Sequence, residues 1–191
     1  MIGKHLALYL DKFLYGSGEA GTYWTHEAAV RLAQREAGKE WTCGTSDAGH
    51  SFVGLDDKTT PPNKVLGLHP SAFPYNVICA LHEVAHTKYM AKGKGGTYKA
   101  QFKAALDALP PEQLEAIKAG KSIVYSEALR QVAQNIYHEE KLCWRWALKR
   151  ARLYKVVPKK ETLRYISKCL RSYQPETALP KLLKEVFKPV A

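Results

Sequence analysis

His82 and His86 stand four residues apart, and Glu83 directly follows the first of them, in Leu81-His82-Glu83-Val84-Ala85-His86. On an α-helix, residues four apart share a face, so both imidazoles can aim a nitrogen at one ion. Glu83 lies about 100° further round such a helix. From there it reaches a water on the ion without being a ligand itself. This is the division of labour in a His-Glu-x-x-His site: two zinc ligands at about 2.0–2.1 Å and one carboxylate that takes a proton from water. Zinc lowers the pKa of a bound water and polarises a carbonyl, which is the chemistry of peptide-bond hydrolysis. Val77, Ile78, Leu81, Val84 and Ala85 supply an apolar surface around the motif. The plainer alternative is a pair of surface histidines on an ordinary helix.

A catalytic zinc site takes a third protein ligand and keeps one position open. No histidine lies between His86 and His138, so a third histidine a few residues on is absent. The candidates are His138, Glu127, Glu139 and Glu140. Periodicity favours one of them. Over residues 122–154, apolar side chains recur at Leu129, Ala133, Ile136, Cys143, Ala147, Ala151 and Tyr154, the pattern of one long amphipathic helix. Glu140 fills the gap in that stripe. A carboxylate at a core position is costly to bury alone; a metal ion compensates it, as would a buried arginine, and the plainer alternative is a partly exposed Glu140 paired with a lysine. His82, His86 and Glu140 are therefore the expected ligands and Glu83 the expected general base, with Glu139, Glu127 and His138 as alternatives to Glu140. Tyr125, Tyr137 and His138 are candidate donors to a developing oxyanion.

The elements that must position these residues follow from local signals. Residues 2–15 read as a first helix. Thr25 caps a helix over 26–37 that Gly38 ends. Residues 39–50 are rich in turn formers and read as a loop. Residues 51–55 and 64–69 read as two short strands joined by a turn containing Pro61 and Pro62. The motif helix spans about 75–90, and 91–97, with three glycines, reads as a mobile loop. Short helices over 98–108 and 111–119 precede the long one, and two more follow at about 161–172 and 180–187. The expected fold class is α+β: mostly helical, with a small antiparallel sheet beside the metal-binding helix. The edge of the strand over 64–69 is one place where an extended peptide could add.

Of the 191 residues, 46% are hydrophobic, enough for a real core. No run of 18 apolar residues occurs, so no membrane span is expected. Cys43, Cys79, Cys143 and Cys169 form no Cys-x-x-Cys pair, which argues against a cysteine-based zinc knuckle. Their sparseness suits reduced thiols and a cytoplasmic setting. Charge is uneven. Residues 1–140 hold 15 Lys/Arg and 15 Asp/Glu, whereas 141–191 hold 14 and 3, so the whole net charge of +11 lies in the last 51 residues. A basic segment of that kind suits nucleic acid or an acidic surface, or is simply a solvated helical face. Trp144 and Trp146 among Arg145, Lys149, Arg150 and Arg152 fit either base stacking or, more ordinarily, a helical core face.

The order Leu66-Gly67-Leu68-His69-Pro70-Ser71-Ala72-Phe73, Tyr75, then Leu81 to His86, with a later Glu139-Glu140-Lys141-Leu142-Cys143, resembles the zincin-like domain of plasmid antirestriction proteins of the ArdC group. The regulatory peptidases of the ImmA/IrrE type are also similar, and Trp146-Ala147 is comparable with the end of their glutamate helix. The resemblance covers about residues 50–150. The interval from His86 to Glu140 is long for either group. The resemblance implies a gluzincin-like metallopeptidase fold, a zinc ion and a phage or mobile-element setting, and it leaves the substrate open. Taken with the motif and the charge pattern, the expectation is a zincin-like domain over 1–157 acting on a protein or peptide substrate, with a basic helical tail over 158–191. The competing expectation is a nucleic-acid- or protein-binding module with a structural or vestigial zinc and a basic binding tail.

Overall fold

The computed structural model describes residues 25–56, 60, 63–70, 75–92, 98–119, 126–156 and 158–186. The expected helix over 2–15, residues 93–97 of the expected loop, and Tyr125 lie outside them. The described chain is α+β and mostly helical. The order is α1 (His26–Ala37), β1 (Trp41–Thr45), β2 (Phe52–Asp56), β3 (Asn63–Leu68), α2 (Asn76–Met90), α3 (Tyr98–Asp107), α4 (Pro111–Lys118), α5 (Glu127–Ala151), a 3-10 turn (Arg152–Tyr154), α6 (Lys160–Ser172) and α7 (Pro175–Val186). No described helix is long and apolar enough to cross a membrane.

Two compact units divide the chain, and neither is one continuous stretch. The first comprises residues 1–95 and 143–164, the second 96–142 and 165–191. In the first unit, α1 starts where Thr25 accepts the Ala28 amide at 3.2 Å. It stops at Gly38, whose φ of 107° suits glycine. Ala29, Ala33 and Ala37 recur every four residues and form a core with Trp41, Leu66, Leu68, Ala80 and Val84. These small side chains let α2 lie close against α1. Lys88 Nζ then donates to the Ala37 carbonyl at 3.1 Å and satisfies the C-terminal end of α1.

The strand order is β1-β3-β2, and this corrects two expectations. Residues 39–50 do not form only a loop, because Trp41–Thr45 pairs parallel to β3, with Cys43 opposite Leu66. The expected antiparallel pair is β2 with β3, so the third strand makes the sheet mixed. β1 escapes local reading because its partners are distant in sequence. Its outer edge is held by one side chain: Gln34 donates to the Trp41 carbonyl at 2.7 Å and accepts from the Cys43 amide at 3.0 Å. The second correction concerns β3. It is the central strand, paired on both sides, so it has no edge to offer a peptide. Gly67 leaves room for the Phe52 ring on β2: a Cβ there would stand 2.5 Å from it, so a larger residue would force the ring to move.

The second unit has its own core, formed by Phe102, Ala105, Leu106, Ile117, Leu129, Val132, Ala133, Leu179 and Leu183. Leu179 and Leu183 come from α7, so the C-terminal helix is part of a core. Burying a leucine fully is worth about 1.5–3 kcal/mol. α7 begins at Pro175, five residues before the expected start. The Gln174 carbonyl accepts from Thr177 and Ala178, each at 2.8 Å. Pro175, rather than Pro180, takes the first-turn place where a missing N–H costs nothing.

Candidate metal centre

α2 is buried on almost every side, with Val77, Ile78, Ala80, Leu81, Val84 and Ala85 at 0% exposure. Ala80 and Val84 meet the α1 and sheet core. His82 and His86 lie about 200° round the helix from them and meet α5 instead. His82 is buried and stacks on Trp144, with ring centroids 3.9 Å apart and planes 21° apart. His86 is half-buried, and its Nδ1 lies 3.5 Å from Cys143 Sγ. The other nitrogens converge: His86 Nε2 stands 3.2 Å from His82 Nε2, with the rings nearly perpendicular at 89°. Two nitrogens on a tetrahedral zinc at 2.0–2.1 Å stand about 3.3–3.4 Å apart. The observed spacing therefore suits ligands of one ion.

Glu139, Glu140, Cys143 and Trp144 occupy adjoining turns of the continuous helix α5, and all four are buried. A ligand atom of Glu140 lies within 4.8 Å of one on His82 and one on His86, as those two do of each other. Two imidazoles and a carboxylate are a donor set that fits zinc and other borderline divalent ions. These three side chains can hold a metal ion. Of the alternatives, Glu139 groups with His86 and Cys143. Glu127 and His138 are exposed on α5 and are not part of either group.

Glu83 follows His82 on α2 and is half-exposed. Tyr137 is half-buried, and Lys141 Nζ lies 5.3 Å from its ring centre. Burial of Trp144 at 4% exposure removes it from any stacking on bases. Its stack on His82 braces that ring. Sequence reasoning missed that role and the position of Cys143 beside His86. The available signal was their spacing of three and four residues from Glu140.

The frame around the centre is anchored by charge. Arg150 Nε and Nη2 donate to the two carboxylate oxygens of Glu36, both at 2.9 Å, which ties the end of α5 to α1. None of the four cysteines is in a disulfide. No protein-family model, curated protein or solved structure matches the chain, and none identifies a zincin-like domain. The class of the site is therefore defined by its own residues: a buried histidine–carboxylate centre able to take a metal ion.

Proposed function

We propose that this chain is a zinc-dependent peptidase whose metal ligands are His82, His86 and Glu140. The observation that carries the reading is the convergence of those three donors, with Glu83 beside the first. Zinc held there supplies Lewis acidity and lowers the pKa of water at its open position. His82 is held by its stack on Trp144, and His86 by the Cys143 contact on its other nitrogen. Such outer contacts fix ring orientation and tautomer. Glu83 accepts the proton of the attacking water and returns it to the leaving amine. Substitution Glu83→Gln keeps the shape and the ligands but removes the base. It should retain one zinc per chain and lose at least about a hundredfold in peptide cleavage. Unchanged turnover by that variant would refute the assignment.

A second reading is favoured by the surface of α6. Lys160, Arg164, Lys168 and Arg171 are all exposed and fall within about 80° of the helix circumference. Such a stripe suits a nucleic-acid backbone. Binding of a DNA oligonucleotide should weaken steeply with salt, and replacing the four cations with glutamine should flatten that dependence. Binding that ignores both changes would exclude this role.

A further inference from the structure

The two nitrogens of His86 meet different donors. Nε2 faces His82 Nε2 at 3.2 Å, and Nδ1 faces Cys143 Sγ at 3.5 Å. The second environment is a complete donor set of its own. Ligand atoms of His86, Glu139 and Cys143 all lie within 4.8 Å of one another, and Glu139 and Cys143 are buried. We propose that His86 Nδ1, Glu139 and Cys143 form a second metal site, for a thiophilic divalent ion such as zinc or cadmium, and that His86 bridges the two ions.

Geometry supports this in two ways. Glu139 and Cys143 are four residues apart on α5, the same one-face spacing that His82 and His86 have on α2. A nitrogen at 2.0–2.1 Å and a sulfur at 2.3 Å from a tetrahedral zinc stand about 3.5–3.6 Å apart. The observed Nδ1···Sγ distance of 3.5 Å matches. Tyr98 also donates its hydroxyl to Glu139, the kind of outer partner that orients a ligating carboxylate.

Charge supports it as well. Two divalent ions bring four positive charges. Glu139, Glu140, the Cys143 thiolate and a bridging imidazolate of His86 bring four negative ones. Loading the second ion releases the thiol proton and the last ring proton of His86 to solvent. The buried cluster is then neutral overall, which low polarity favours. A thiolate ligand selects softer ions over magnesium or calcium. The bridge rests on the first site proposed above, with which it shares His86, but Glu139 and Cys143 are ligands of the second ion alone, so losing either removes that ion and not the first.

The test uses the full-length protein loaded with one equivalent of zinc and titrated with cadmium. The cadmium–thiolate ultraviolet charge-transfer band and the metal content by mass spectrometry are read together. The expected result is two metal ions per chain and a thiolate band. Cys143→Ser should abolish the band and weaken the second ion at least about tenfold while one zinc remains bound. Glu139→Gln should weaken the second ion likewise, which guards against a serine variant that fails to fold. Cys43→Ser and Cys169→Ser should leave the band intact, as should Glu83→Gln. A band that persists in Cys143→Ser, the absence of any band, or cadmium that displaces zinc at a total of one ion per chain would overturn the proposal.

Discussion

Glu140→Gln separates a metal ligand from a structural carboxylate, because the two roles predict different signs. The side chain is 6% exposed. The amide has the same shape but carries no charge that must be buried. Without metal, the variant should be as stable as the wild type or more so, since a buried ionised group is costly to maintain. With zinc the order reverses. At a free zinc concentration of 100 times Kd, the wild type gains about 2.7 kcal/mol. For a chain of this size that raises Tm by roughly 5–11 °C. A hundredfold loss of affinity leaves the variant about 0.4 kcal/mol at the same zinc concentration, or roughly 1 °C. Thermal unfolding with and without zinc measures both terms, and titration calorimetry gives Kd directly. Glu127→Gln is the control, because Glu127 is exposed, and its zinc shift should equal that of the wild type. Equal zinc shifts for Glu140→Gln and the wild type would refute the ligand assignment, as would loss of the shift in Glu127→Gln.

Burial pushes the Cys43 thiol up to about 11 from an ordinary 9.0. Only the thiolate is alkylated, so at pH 8 iodoacetamide should label native Cys43 about a hundredfold more slowly than the unfolded chain. The native rate should keep rising with pH to about 11. The folded state favours the protonated thiol. This group's contribution to stability is therefore complete below about pH 9 and lost as pH climbs towards 11. Mass spectrometry of the labelled peptide gives the rates, and a native rate that levels off near pH 9 would contradict the burial. Arg150→Met should destabilise the chain by about 1–3 kcal/mol in urea unfolding. It leaves the Glu36 carboxylate, at 8% side-chain exposure, without its two guanidinium bonds. Adding Glu36→Gln should recover part of that loss, and a double variant less stable than Arg150→Met alone would contradict the pairing.

Local chemistry determined much of this protein. Thr25 and Gly38 bound α1 because capping and positive φ are properties of single residues. The placement of His82, Glu83 and His86 on one helix follows from its period. The burial of Glu140 was legible for a related reason: it fills a gap in an apolar stripe whose members Leu129, Ala133, Cys143, Ala147 and Ala151 are buried with it. The tertiary structure decided the rest. β1 exists because β3 and the Gln34 amide satisfy its backbone from a distance, and five residues of intrinsic preference could not announce that. α7 starts at Pro175 and joins a core because Leu179 and Leu183 find partners on α3 and α5. Trp144 against His82, and Cys143 against His86, join side chains more than 55 positions apart. Periodicity assigns each residue to a face of its own helix. Only the packing of the two helices decides which faces meet, because contact energy depends on shape and distance across the fold rather than on order along the chain.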